Sequence, residues 1–169
     1  MFDFLHILRM GDRMKQWKKR WFWISVPELV GVIAGFLIRD GVMVYQAVAP
    51  KPPLSPPGAV FPVVWIVLYA LMGYGAYRVA NAGIYWQKKQ ALRLFWIQLG
   101  MNFLWPVFFF VASWYGVALA WIVALWFMIF AMFRAFRRID RLAARLQIPY
   151  LFWTDFAVYL NLGAWVYQH

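Results

Sequence analysis

The stretch Trp114–Phe133, WYGVALAWIVALWFMIFAMF, decides the fold class. It carries no charged residue, and a helix that crosses the hydrocarbon core of a bilayer needs about 20 mostly apolar residues. Four more stretches of about this length are mostly apolar, at 24–44, 61–79, 91–111 and 149–167. Their apolar runs are continuous, whereas the strands of a membrane barrel alternate over about 10 residues. The sequence therefore predicts an all-α integral membrane protein with a five-transmembrane-helix bundle.

The composition supports the same class of protein. Of 169 residues, 65% are hydrophobic and 14% are charged, whereas soluble domains have about 45–50% apolar and 25% charged residues. The absence of cysteine excludes a disulfide scaffold and a cysteine nucleophile. The net charge of +11 does not indicate nucleic-acid binding, which requires a soluble basic face. No zinc motif, phosphate-binding loop or serine triad is present, so we expect neither a metal site nor a conventional catalytic site.

The chain divides into two parts. Residues 1–23 are predicted to form a basic amphipathic N-terminal segment, and residues 24–169 the transmembrane domain. The first residues are suited to lying along a membrane surface, with apolar Phe2, Phe4, Leu5 and Leu8 beside Arg9 and Arg13. If translation instead starts at Met14, only a short basic segment precedes the first span. Signal-peptide cleavage is not expected, because the apolar run exceeds the usual 7–15 residues.

The basic residues predict the orientation. Fifteen of the 17 Lys and Arg residues precede the first span or flank the second and fourth loops, and only Arg39 and Lys51 belong to the opposite side. Cytoplasmic loops carry the excess of positive charge. We therefore expect a cytoplasmic N-terminus and an external C-terminus, most simply in a bacterial cell membrane.

The first loop, residues 49–60, is rich in proline. Five prolines lie between Ala49 and Gly58, and their fixed φ angles make the segment stiff. On the outer side of the bundle, such a loop is either a lid over a site or a rigid connector.

Three separated blocks form the most specific pattern in the chain. They are KPPLSPPG at 51–58 followed by FPVVWIVLY at 61–69 and MG at 72–73, QLGMNFLWP at 98–106 with FF at 108–109, and PYLFW at 149–153 through Ala157 to LN at 160–161. In this order and spacing, over about residues 27–167, they resemble the translocator protein family, also called tryptophan-rich sensory proteins or TspO. One departure is Leu54, where many relatives carry tryptophan.

The resemblance implies a usually dimeric five-helix bundle that binds porphyrins such as protoporphyrin IX and haem. It links the chain to tetrapyrrole homeostasis or stress signalling. Together with the spacing of polar and aromatic residues, it predicts a ligand site formed by Tyr45, Pro56, Trp65, Tyr69, Asn102, Trp105, Trp153, Ala157, Leu160 and Asn161. We expect this pocket in the outer half of the bundle, between spans one, two, three and five and beneath the loop.

Several of these residues can be interpreted from their spacing alone. Asn102 lies near the middle of the third span, and Gln98 lies one turn earlier on the same face. Intramembrane amides either join helices or line a cavity, and both alternatives apply here. Trp153 lies close to the inner end of its span, so it is predicted to form the pocket floor unless the helix begins earlier.

Most tryptophans are expected to be interface anchors, because indole rings favour the ends of membrane spans. The predicted anchors are Trp17, Trp21, Trp23, Trp86, Trp114 and Trp165. The remaining candidates suit a flat apolar macrocycle. Neither His6 nor His169 lies within a span, so the sequence offers no histidine ligand for haem iron inside the bundle.

Asp155 is interpreted as the one acid well inside a span, either neutral or paired with a loop-four base such as Arg145. Its structural and functional interpretations are equally favoured. Small residues at four-residue spacing permit close helix contacts within the bundle or in a dimer; they are Gly31 and Gly35 on the first span and Gly116, Ala120 and Ala124 on the fourth.

The sequence and the resemblance thus predict a membrane-embedded, homodimeric protein that binds porphyrin-like small molecules and lipid and needs no obligatory cofactor. Two other classes stay open. One is a light- and oxygen-dependent porphyrin-degrading enzyme with Trp65, Tyr69 or Trp105 as redox partners. The other is a porphyrin or lipid transporter, which the lack of an inverted repeat disfavours.

Overall fold

Helices account for nearly all of the chain. The computed structural model describes residues 2–82 and 84–167, with side chains from residue 16 onward within those ranges. The helices are α1 (Phe2–Val48), α2 (Val60–Ala80), α3 (Tyr85–Pro106), α4 (Tyr115–Ile139), α5 (Arg141–Arg145) and α6 (Ile148–Tyr167). A π-helical segment, Val107–Val111, continues α3. Five of these helices are long and α5 is a short connector, which confirms the predicted all-α fold.

Four helices in the described part of the chain are long and apolar enough to cross a membrane. They cover Gln16–Val48, Val60–Ala80, Tyr85–Val111 and Tyr115–Ile139. The fifth, α6, has 20 residues and hence a length of about 30 Å. It contains the polar residues Thr154, Asp155 and Asn161 and is not among those four.

The first helix differs from the expected division at residue 24. It runs from Phe2 to Val48 with Pro27 inside it, so the basic segment is continuous with the first span. The part from Gln16 to Val48 has 33 residues and extends about 50 Å, more than the roughly 30 Å hydrocarbon core. Its exposed basic residues Lys18, Lys19 and Arg20 therefore extend beyond that core at one end. The side chains expected to lie on the membrane surface, together with His6 and His169, fall outside the described residues.

The two ends of the bundle differ in chemistry. We call the end with the loop 49–60 the lid end and the end with α5 the basic end. At the basic end, Arg78 donates to Asp140 through Nε (3.0 Å) and Nη2 (2.7 Å). Burial alone would raise the pKa of Asp140, but the hydrogen bonds from Arg78 and from the Ala143 amide outweigh it and hold this pKa below its ordinary value.

The bundle is densely packed in its basic-end half. Large side chains from three helices are fully buried there, including Met72 on α2, Phe95 on α3, and Met132 and Phe136 on α4. Gly73 lets α1 approach closely, because a Cβ at this position would overlap the Trp23 carbonyl oxygen.

Trp23 corrects one of the predicted interface anchors. It is half-buried, and its ring packs against Phe95 (5.9 Å between centroids) and Trp96 (5.7 Å). The first helix extends past residue 24 toward the basic end, so Trp23 lies beside the core and not at a helix end. The other predicted anchors are exposed, as expected: Trp17, Trp21, Trp86, Trp114 and Trp165.

The proline-rich loop is fixed to α6. Tyr159 donates its hydroxyl to the Pro53 carbonyl (2.8 Å), and the buried Pro52 packs against Gly163. Ser55 closes a local turn by donating Oγ to the Pro52 carbonyl (2.6 Å). Leu54 has a φ of 65°, an uncommon backbone conformation for a residue other than glycine. The loop is therefore a defined structure across the lid end.

Candidate ligand cavity

A cavity of about 550 Å³ lies in the lid-end half of the bundle. Its walls come from α1, α2, α3, the π-helical segment and α6, and the loop 49–60 contributes Lys51, Pro52, Ser55, Pro56 and Gly58. This is the location that the sequence predicts for the pocket. Nine of the predicted site residues line it: Tyr45, Pro56, Trp65, Tyr69, Asn102, Trp105, Ala157, Leu160 and Asn161.

Trp153 is not part of the cavity wall. It is half-buried and packs against Phe61 (5.7 Å between ring centroids) on α2 and Phe156 (5.8 Å) on its own helix. The helix begins at Ile148, only one residue before the predicted Pro149. Trp153 therefore lies behind the cavity-lining Phe61, where it helps to connect α2 with α6.

Aromatic rings form two walls of the cavity. Trp65 and Tyr69 lie one turn apart on α2, with ring centroids 5.3 Å apart and planes 30° apart. Elsewhere in the wall, Trp105 lies 5.6 Å from Phe109, with planes 36° apart. Such aromatic surfaces provide a large contact area for a flat ligand.

Small residues keep the space between these walls open. Gly31 packs against the Tyr69 ring, so a side chain there would collide with it. Gly35 also lines the cavity, and a Cβ at Gly35 would meet nothing within 4 Å. Ala157 on α6 is buried and faces the same space. The predicted small-residue spacing on the first span thus serves both close packing and the cavity.

A buried hydrogen-bond network closes the cavity toward the basic end. Tyr69 donates its hydroxyl to Asn102 Oδ1 (2.9 Å), and Asn102 Nδ2 donates to the Tyr150 hydroxyl. Tyr150 in turn donates to Gln98 Oε1 (3.0 Å). Buried polar groups are costly unless paired, so this network both stabilises the bundle and fixes these side chains.

The network distinguishes the two intramembrane amides. Gln98 is fully buried, lies outside the cavity wall and contacts Met72 Sδ (3.6 Å), so it joins helices. Asn102 joins three helices and also lines the cavity. Helix joining therefore applies to both amides, and cavity lining applies to Asn102 alone.

Asn161 on α6 joins this helix to α3 and α4 near the lid end. With its amide oriented so that both groups are satisfied, it accepts from the Trp105 indole N–H (3.0 Å) and donates to the Tyr115 carbonyl (3.1 Å). These bonds fix the plane of Trp105, which forms one of the aromatic walls.

The site predicted from the sequence does not include the charged residues that line the cavity. Glu28, Arg39 and Lys51 all line the cavity, as does Gln46. The wall residues of α1 recur at spacings of three or four, for example Gly35, Arg39, Val42 and Gln46, so they share one helical face. In the sequence, Arg39 and Lys51 bear only on the orientation of the chain in the membrane. Glu28 also shows that Asp155 is not the one acid within a span.

Asp155 lies away from the cavity. It is exposed on the outward face of α6, and it forms no hydrogen bond or ion pair with any residue that the structure describes. The expected pairing with Arg145 is wrong, because α5 places Arg145 at the basic end while Asp155 lies two turns into α6.

The chemistry of the wall suits binding more than bond-breaking. Across the described residues, no group of three or more His, Cys, Asp and Glu residues is positioned to hold a metal ion. The wall provides aromatic surface, the amides of Gln46, Asn102 and Asn161, three hydroxyls and a few charges. A mostly apolar cavity with a small number of polar groups is typical of a site for an apolar small molecule.

Comparisons with known proteins agree with this description. The family described as TspO/MBR matches residues 23–166. A tryptophan-rich protein TspO of Chlorobaculum tepidum is 38% identical over 69% of this chain and 75% of its own length. A tryptophan-rich sensory protein of Cereibacter sphaeroides is 39% identical over 68% of this chain and 70% of its own. The human translocator protein is 36% identical over 79% of this chain and 80% of its own.

Proposed function

The chain belongs to the TspO/MBR family, and we propose that its cavity binds a porphyrin such as protoporphyrin IX or haem. The observation that carries this proposal is the presence of two aromatic pairs, Trp65 with Tyr69 and Trp105 with Phe109, in the wall of one cavity. Such binding would place the protein in tetrapyrrole homeostasis or stress signalling.

The dimensions and polarity of the cavity support a flat macrocycle. Its volume of about 550 Å³ falls within the roughly 300–1,000 Å³ usual for small-molecule sites. Glycine and alanine at positions 31, 35 and 157 also line the cavity and add no bulk to it. The described wall contains no histidine, so haem would be held there through its ring and its side chains, without an axial histidine.

Binding of protoporphyrin IX can be measured by quenching of tryptophan fluorescence in detergent micelles. Trp65→Ala removes one aromatic wall and should weaken binding about tenfold, or about 1.4 kcal/mol. Trp114→Ala is the matched control, because Trp114 is exposed and lies outside the cavity wall. Equal losses in the two variants would show partitioning into the micelle and would contradict a defined site.

We propose further that the lid end faces the outside of a bacterial cell and the basic end faces the cytoplasm. The distribution of Lys and Arg supports this orientation. An impermeant thiol reagent should label Lys51→Cys in intact cells of this cysteine-free chain and should leave Arg137→Cys unlabelled. Labelling of both positions, or of Arg137→Cys alone, would contradict it.

The proposal includes a homodimer, as the family resemblance implies. Ala120 and Ala124 support it, because they are exposed on one face of α4 and permit close approach of a second helix. The mass of the protein in detergent, corrected for bound detergent, tests this. A monomer at all protein concentrations would exclude a stable dimer.

A further inference from the structure

The charged residues of the cavity wall are distributed unevenly along it. Glu28 lies three residues before Gly31, which packs on Tyr69 near the closed end of the cavity. Arg39 lies eleven residues after Glu28 on α1, about 16 Å further along the helix. Lys51 lies in the loop at the lid end. The cavity therefore has a negative closed end and a basic mouth.

These charges are not neutralised by strong pairing within the protein. Glu28 and Lys51 form no hydrogen bond or ion pair with any other described residue. Arg39 donates Nε to its neighbour Asp40 (3.1 Å), but both side chains of that pair are mostly exposed, at 62% and 76%. An exposed pair of this kind is weak, and four of the five guanidinium N–H donors are not used in it.

The wall between the two ends contributes little charge. Rings and small residues dominate it, and its main polar groups, the Asn102 amide and the Tyr69 hydroxyl, are bonded to each other. A ligand with acidic groups at one edge can place them beside Arg39 and Lys51, away from Glu28, in one orientation only. In the reverse direction, its carboxylates would approach Glu28 and lose contact with the two bases.

We propose that the cavity selects an apolar macrocycle with carboxylates on one edge and binds it with those carboxylates at the mouth, against Lys51 and Arg39. This inference rests on the proposed porphyrin function and assigns a specificity and an orientation to it. Lys51 and Arg39 act as specificity-determining residues because charge-assisted bonds to a carboxylate are strong relative to neutral ones. Glu28 excludes the reversed ligand by repulsion, the second means by which sites achieve specificity.

The test compares protoporphyrin IX with its dimethyl ester, which has the same ring and no carboxylates. Dissociation constants for both are measured on the full-length protein in neutral detergent. The wild-type protein should bind the free acid about 3- to 10-fold more tightly than the ester, since two partly exposed ion pairs contribute modestly. In the variant Lys51→Met with Arg39→Met, this ratio should fall to about one, while the affinity for the ester stays within about twofold.

Matched variants separate specific contacts from the overall charge. Lys88→Met with Lys89→Met removes the same net charge from α3, away from the cavity, and should keep the acid-to-ester ratio of the wild type. Glu28→Gln should leave binding of the ester unchanged and should not weaken binding of the acid. Added salt should lower the ratio in the wild type, because exposed pairs are screened.

The outcomes distinguish this inference from the proposed function. Equal binding of acid and ester to the wild type, or a ratio that survives loss of Lys51 and Arg39, would overturn the orientation while leaving porphyrin binding intact. A loss of the ratio in the Lys88 and Lys89 control would show a general charge effect and would also overturn it. Saturable binding of neither porphyrin would overturn both proposals.

Discussion

The two halves of the bundle are built from the same residue types but are packed differently. In the basic-end half, Met72, Phe95, Met132 and Phe136 interlock with no exposed surface. In the lid-end half, aromatic residues such as Trp65 and Trp105 face glycine and alanine across an open cavity. Aromatic side chains leave no cavity only where other large side chains pack against them. The size of the neighbouring residues therefore decides which half is densely packed.

The hydrogen-bond network around Tyr150 marks the boundary between these halves. Below it, Gln98 is completely enclosed, and above it, Asn102 contributes to the cavity wall. Because Tyr150 bonds to both amides, the solid half holds the end of the cavity in a fixed geometry. The packed half therefore serves as a scaffold for the open half.

The largest effect is expected from adding a side chain to the packed half. Gly73→Leu places a Cβ against the Trp23 carbonyl oxygen and within 2.7 Å of the Ile24 Cα, both of which belong to backbone. Backbone cannot move aside as a flexible side chain can, so we expect a loss of about 3 kcal/mol or more of stability. Thermal unfolding in detergent measures it as a large fall in Tm or a failure to recover folded protein.

Gly35→Leu is the matched change in the open half. A Cβ at Gly35 meets nothing within 4 Å, so the Tm should stay close to that of the wild type while porphyrin affinity falls. A similar loss of Tm in both variants would remove the distinction between the two halves.

An intermediate effect is expected for Ala157→Phe, which fills the gap that a flat ligand would occupy. Overpacking a filled site costs about 1–3 kcal/mol, a loss of about 5- to 150-fold in affinity for protoporphyrin IX. The control is Gly100→Phe, at an exposed position of α3 outside the cavity wall where a Cβ meets nothing within 4 Å. Unchanged affinity of the Ala157 variant would show that the ligand binds elsewhere.

No effect on binding is expected for Asp155→Asn. The carboxylate is exposed on α6 and lies outside the cavity wall, and the amide avoids the cost of a charge facing lipid. Titration with protoporphyrin IX should give a dissociation constant within about twofold of the wild-type value. A tenfold loss at constant Tm would give Asp155 a part in binding that this structure does not explain.

The sequence predicts the helices and most of the site because long apolar runs and the three blocks are local signals. The ends of α2, α4 and α6 toward the lid end differ from the prediction by about one residue. By contrast, the helix that contains the first span begins well before residue 24, since apolarity ends before the helix does. A helix continues into polar sequence whenever its residues have adequate helical propensity, as those around Lys18 have.

Side-chain placement was harder to predict for a different reason. Trp153 and Ala157 share one face of α6 by spacing, yet only Ala157 lines the cavity, because the Trp153 ring packs against Phe61, which itself forms part of the wall. Glu28 is not predicted because a single charge near a span end is usually interpreted as interfacial. Both errors concern packing between helices, which spacing along one helix does not determine.

The central claim is that the open space beside Gly35 is the ligand site, and the cysteine-free chain allows a direct test. Gly35→Cys places a thiol on the cavity wall, and Gly100→Cys places one on an exposed face of α3 with equally free surroundings. Both are labelled with a membrane-permeant maleimide at increasing protoporphyrin IX. We predict that labelling at position 35 slows in step with ligand occupancy, while labelling at position 100 does not change. Equal slowing at both positions, or no slowing at position 35 when the ligand is saturating, would contradict the claim.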